Sequence, residues 1–137
     1  MLKEIYFPMS CQILVKGHIT ALEKLRKQGF VTVGLLTSRA LKGYKKELMP
    51  YADRAYILET IAMALGNIDI VPQDSLDPTE NIKKYKCRAI ASGDGWEKKE
   101  LEAIKKLKLE RIDIKSGSKT HSSDILRAKN DTRRTKK

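Results

Sequence analysis

The chain alternates short apolar runs with longer stretches in which apolar residues recur every three or four positions. "KEIYFPM" reads as a strand. "GHITALEKLRKQG" follows as a helix with Ile19, Leu22 and Leu25 on one face and Gly29 as its stop. "FVTVGLLT", Phe30 to Thr37, is uncharged and rich in β-branched residues, the signature of a buried strand. "SRALKGYKKELMPY" carries lysines, a glycine and a proline, and reads as a loop with about one helical turn. "ADRAYILETIAMALG" is a helix with Ala52 or Asp53 near its start and Gly66 closing it. "IDIVPQ" is a third strand, which Pro72 is expected to end, and "DPTENIKKYK" is a helix with Asp77 as its cap and Pro78 in its first position. "CRAIAS" gives a fourth strand, "WEKKELEAIKKLK" a helix and "LERIDIK" a fifth strand, and "SGSKTHSSDILRAKN" is a glycine- and serine-rich turn running into a last helix.

Five such alternations specify an α/β fold: a Rossmann-like, five-stranded parallel sheet with helices on both faces. Ligands in such sheets sit beyond the carboxyl ends of the strands, where strand order reverses. That directs attention to four loops, 10–17, 38–52, 92–96 and 116–123. In the first, Gly17-His18 opens a helix, and a helix N-terminus offers unpaired N–H groups and a positive dipole end to a phosphate.

Composition narrows the picture. At 137 residues, 41% apolar and 33% charged, the chain is expected to form one domain over residues 1–127 with a basic, disordered tail at 128–137. No apolar run approaches the ~20 residues of a membrane span, and the N-terminal stretch lacks a signal-peptide core, so a cytoplasmic location and no membrane partner are expected. Cys11 and Cys87 belong to no metal-binding or redox spacing and are expected to be reduced, incidental thiols. The net charge is +11, but Arg127 to Lys137 holds six basic residues and one acid, which leaves +6 on the body. That suits a protein handling anionic phosphates. Without interleaved aromatic and basic residues, nucleic acid is not an expected partner.

Four motifs carry more specific information: "MSCQILVKGH", "VGLLTSRALKGYK" with "SLDPTENIKKYK", "SGDGWE" and "THSSDILR". In this order and spacing they resemble the cytidylyltransferase branch of the nucleotidyltransferase superfamily, whose compact form is the glycerol-3-phosphate cytidylyltransferases. The second motif pair is most similar to the relatives that load CMP onto phosphonates. The resemblance runs from Ile5 to about Arg127. It departs from the family at the first loop, approximately G-T-F-D-L-L-H-x-G-H: Met9 stands at the glycine, Gln12 at the aspartate and Val15 at the first histidine, while Gly17 and His18 match. Gly95 likewise replaces the second aspartate of a G-D-D-W.

The resemblance implies transfer of CMP from CTP to a small phosphorylated alcohol or phosphonate with release of pyrophosphate, Mg²⁺ carried on the nucleotide phosphates, and a homodimer. Such a reaction joins two anions, so donors and cations that align them and neutralise developing charge matter more than a strong base. His18, Lys45 and Arg54 would be catalytic. Met9, Ser10, Gly17, His18, Asp94, Trp96, Ser122 and Ser123 would hold the nucleotide. Losing the first histidine would remove roughly 2.7–4 kcal/mol of transition-state stabilisation, by analogy with a single oxyanion-hole donor. Lys16 could compensate, or could simply face solvent. Each other assignment has a plainer alternative: a solvated basic loop for Lys45 with Lys42 and Lys46, a surface ion pair with Glu59 or Asp53 for Arg54, core packing for Trp96, and ordinary capping for Ser122 and Ser123. His121 reads as a surface residue. A second functional reading, favoured by Gln12, Val15 and Gly95, is a catalytically impaired nucleotide-binding homologue acting as a sensor or partner subunit.

Overall fold

The structure, a computed structural model, describes residues 3–93 and 95–114. Five strands pair in parallel: β1 (Lys3–Met9), β2 (Gly29–Leu36), β3 (Ile68–Gln73), β4 (Ala89–Ser92) and β5 (Glu110–Asp113). Their order across the sheet is β3-β2-β1-β4-β5. Between them run α1 (Lys16–Arg26), α2 (Ser38–Leu41), α3 (Tyr51–Leu65), α4 (Thr79–Lys84) and α5 (Lys98–Leu107). No helix among the described residues is long and apolar enough to cross a membrane.

Strand alternation splits the interior in two. Ile5, Phe7, Val31, Val33, Leu35, Ala89 and Ala91 face one side, where Leu22 and Leu25 of α1 and Leu58 of α3 pack on them. Leu22, Leu25 and Leu58 are completely buried, each stabilising the fold by about 1.5–3 kcal/mol. On the other face, Tyr6 and Ile90 meet Ile82 of α4 and Ala103 of α5. Gly34 makes room there: a Cβ at that position would lie 1.9 Å from the Tyr6 hydroxyl oxygen. The space is used by a buried polar chain in which Tyr6 Oη donates to Gln73 Oε1 (2.6 Å) and Asn81 Nδ2 donates to Tyr6 Oη (2.9 Å).

Three local expectations change. Pro72 does not end β3 but lies inside it, paired with Leu35; β3 is an edge strand, so the missing N–H points where no ladder bond is required. Gly29 begins β2 rather than closing α1, which stops at Arg26. Pro78, expected in the first helical position, is instead the N-cap of α4, and Asp77 stands one residue before it, its Oδ1 accepting from the Thr79 N–H (2.9 Å) and the Thr79 hydroxyl (2.6 Å). The expected last helix and the tail lie outside the described residues.

Candidate functional site

The chain runs from β1 to β2 and β3 on one side, then returns to place β4 and β5 on the other. The strand order therefore reverses between β1 and β4. Beyond the carboxyl ends of these two strands opens a cavity of about 350 Å³, with Met9, Ser10, Ser92 and Gly93 on its wall. Its size is at the lower end of the range of ligand pockets.

The β1–α1 loop forms the first wall. Val15 caps α1 in an extended conformation, and its backbone N–H donates to Nδ1 of His18 (3.1 Å). An accepting Nδ1 carries no hydrogen, so a neutral His18 ring bears it on Nε2 and presents a donor there. Gly17, His18 and Val15 all line the cavity. Position 15, where the resemblance places another histidine, thus offers only an apolar side chain. Cys11 also faces the cavity, and burial pushes its thiol up to about 11.

The segment after β2 forms the second wall, and it contributes Tyr44 and Lys45. The Lys45 ammonium lies 5.2 Å from the centroid of the Tyr44 ring. The third wall is the β4–α5 turn and the first turn of α5, with Gly95, Glu97, Lys98, Lys99 and Glu100. The Ser92 hydroxyl donates to the Gly95 carbonyl and holds the turn, and Gly95 has a φ of 105°. The Glu97 N–H donates to Glu100 Oε1 (3.1 Å). Burial, helped by the neighbouring Glu97 charge, pushes the Glu100 carboxyl up to about 7. Tyr44 Oη donates to Glu97 Oε1 (3.2 Å) and so bridges the second and third walls.

Of the residues expected from sequence, Met9, Ser10, Gly17, His18 and Lys45 come together around this cavity, while Lys42 and Lys46 do not line it. Three others take different positions. Lys16 is exposed and off the wall, whereas Lys98 and Lys99, which sequence reasoning passed over, are on it. Arg54 is 1% exposed and sits behind the site. Its Nη1 donates to the carbonyls of Ser10 (2.9 Å) and Leu36 (2.6 Å), its Nε to that of Met49 (2.9 Å), and its Nη2 to Glu47 (2.9 Å). The guanidinium is engaged by main chain and by Glu47, not by Glu59 or Asp53, so it does not present a fork to the cavity. Trp96 turns to the α4–α5 side of the sheet and is also off the cavity wall. Its Nε1 donates to Asp113 (2.7 Å), and Arg111 lies 5.1 Å from its ring centroid. Asp94, His121, Ser122 and Ser123 lie outside the described residues. Glu97 and Glu100 were visible in sequence only as acids at a helix start. Nothing in the pattern said that they face the cavity.

The profile of a family described as cytidylyltransferase-like matches residues 8–129. No match was found among the curated proteins. Among solved structures, the chain is similar to the lipopolysaccharide core biosynthesis protein from Thermoplasma volcanium GSS1, with 18% identity, a TM-score of 0.70, and coverage of 86% of this chain and 100% of the other. It is also similar to a candidate nicotinate-nucleotide adenylyltransferase from Vibrio parahaemolyticus, with 16% identity, a TM-score of 0.61 and coverage of 96% and 89%. An Archaeoglobus fulgidus protein of unknown function matches at 13% identity and a TM-score of 0.70, with coverage of 86% and 93%. At these identities the likeness is one of fold.

Proposed function

The chain belongs to the cytidylyltransferase-like family, and from that premise we propose that it transfers CMP from CTP to a small phosphate- or phosphonate-bearing acceptor, working as a homodimer. One observation carries the reading: at the reversal point of the sheet, the N-terminus of α1, the His18 ring and Lys45 line one cavity of about 350 Å³. An acceptor oxygen, already ionised at pH 7, attacks the α-phosphorus of CTP as the bond to the bridging oxygen breaks and pyrophosphate leaves. The Gly17 N–H at the start of α1 donates to a phosphate oxygen, His18 donates from Nε2, and Lys45 supplies positive charge from the loop after β2. Among the described residues no three His, Cys, Asp or Glu side chains converge as a metal cage. Mg²⁺ would arrive on the triphosphate and neutralise charge there.

Calorimetric titration with CTP and Mg²⁺, with ATP run alongside, is the test, followed by pyrophosphate detection across phospho-alcohols and phosphonates. Binding with pyrophosphate release is expected, and His18→Ala is expected to lower kcat by ~10²–10³, the loss that follows removal of one transition-state donor. The apolar Val15 on the cavity wall favours one alternative, a homologue that binds the nucleotide as a sensor or partner subunit without turning it over. Binding without pyrophosphate from any acceptor would select it. No binding of either nucleotide would reject both.

A further inference from the structure

The segment 42–50 is rich in lysine and belongs to no helix or strand. Three consecutive residues in it are nevertheless tied down. Glu47 Oε2 accepts from Arg54 Nη2 (2.9 Å) and from the Ser38 hydroxyl (2.6 Å). The Met49 carbonyl accepts from Arg54 Nε (2.9 Å). Between them, the Leu48 N–H donates to Oε1 of Gln12 (2.6 Å). Gln12 is only 6% exposed although it belongs to the β1–α1 loop. Arg54 reaches the same loop from below by donating to the Ser10 carbonyl (2.9 Å).

The two loops that flank the cavity are thus joined by a buried amide above and a buried guanidinium beneath. Lys45 is three residues from Leu48, and His18 opens the helix that Gln12's loop leads into. We propose that Gln12 is a positioning residue. Its amide oxygen fixes the lysine loop against the β1–α1 loop, so that Lys45 and His18 meet a ligand from opposed walls in one geometry before the ligand arrives. A fixed geometry matters because misplacement by about 1 Å can cost ~10²-fold in rate. Position 12 therefore acts through the loop and touches no substrate. An aspartate there would be one carbon shorter, by about 1.5 Å, and would withdraw its oxygens from hydrogen-bond reach of Leu48. Gln12→Asp, which would recreate the aspartate of the family pattern, is accordingly expected to loosen the site. Gln12→Glu keeps an acceptor at the same reach.

Only the kinetic half of this inference rests on the proposed transferase activity. The structural half is tested on the whole chain by amide hydrogen exchange. The Leu48 N–H of the unaltered protein is expected to exchange ~100-fold or more slowly than an open loop amide. Gln12→Met keeps the shape and removes the acceptor. It is expected to abolish that protection without changing exchange in β1 or β2, and to speed trypsin cleavage after Lys42, Lys45 or Lys46 about tenfold. Gln12→Glu is expected to restore both readouts. In turnover, Gln12→Met is expected to lower kcat about tenfold or more with a smaller change in KM, and Gln12→Glu to recover it. A freely exchanging Leu48 amide in the unaltered protein would overturn the proposal, as would a Gln12→Met variant whose exchange and cleavage match it. If Gln12→Met fails to fold, the exchange rate of Leu48 in the unaltered protein decides alone. If no nucleotide is turned over, the transferase reading falls while the exchange and cleavage results still decide the role of Gln12.

Discussion

At position 95 the resemblance calls for an aspartate, but the residue is a glycine at φ 105°, a region beyond the usual reach of side-chain-bearing residues. Space is not the obstacle, since among the described residues a Cβ there meets no atom within 4 Å. Backbone strain is. Gly95→Asp is therefore expected to cost about 1–3 kcal/mol, read as a lower urea midpoint at unchanged slope. Glu100 gives a second residue-level test. Burial raises its carboxyl from the ordinary 4.5 to about 7, so the folded state holds the proton more tightly than the unfolded one. Its contribution to stability is then complete below about pH 4.5 and is lost as pH rises through 7. Glu100→Gln keeps the oxygen that caps α5 and removes the charge. Its Tm is expected to exceed the unaltered protein's at pH 8, with the gap closing below about pH 4.5; a gap that does not depend on pH would contradict this assignment. The place of His18 at the start of α1 was legible, because Gly-His at a helix start is a local pattern. The sequence could not disclose that the Val15 N–H donates to Nδ1 of that ring, because a backbone donor is the same whatever side chain it bears. Trp96 shows the converse: the sequence marked the residue, but which side of the turn it faces depends on Asp113 and Arg111, on another strand.

Strands and helices were legible because burial on both faces of a parallel sheet demands charge-free runs such as "FVTVGLLT", and because two-sided cover demands amphipathic helices between them. Pro72 misled because a proline ends central strands and is tolerated at edges, and being an edge is a property of the sheet. Arg54 is the larger case. From sequence it opens a helix beside a basic loop and invites a phosphate. In the fold it lies under two strand ends, donating to three carbonyls and to Glu47. Its removal would take their donor from the buried Leu36 carbonyl and from the part-buried carbonyls of Ser10 and Met49. Arg54→Met is expected to destabilise the protein by at least about 3 kcal/mol. Arg54→Lys should recover little of it, since a point charge on a flexible stem cannot serve acceptors spread around a planar fork. Chemical denaturation of both variants checks this. Near-normal stability of Arg54→Lys would mean that charge alone suffices and that the geometry of the fork is incidental.

A cavity at the reversal point of the sheet belongs to no single element; it exists because the chain reverses its direction of strand addition after β3. Alternation in the sequence announced that such a point exists. The order of the strands, which decides that the loops after β1 and β4 form it, comes from pairing between segments more than eighty residues apart, as Ile5 with Ala89. If that cavity holds a nucleotide, binding must stabilise the whole fold, because the unfolded chain has no such site. At a ligand concentration of 100 Kd the stabilisation is about 2.7 kcal/mol, which for a chain of this size raises Tm by roughly 8–10 °C. CTP with Mg²⁺ is expected to produce that shift in a thermal melt, and ATP a smaller one at equal concentration. A shift equal for the two would mean that the phosphates are held and the base is not read. A shift lost in His18→Ala would place the triphosphate at α1, whereas one that survives there but falls in Lys45→Ala would place it on the facing wall. No shift with either nucleotide would separate the fold from the activity that its family suggests, since the sheet and its cavity would then stand without the ligand that the proposed chemistry requires.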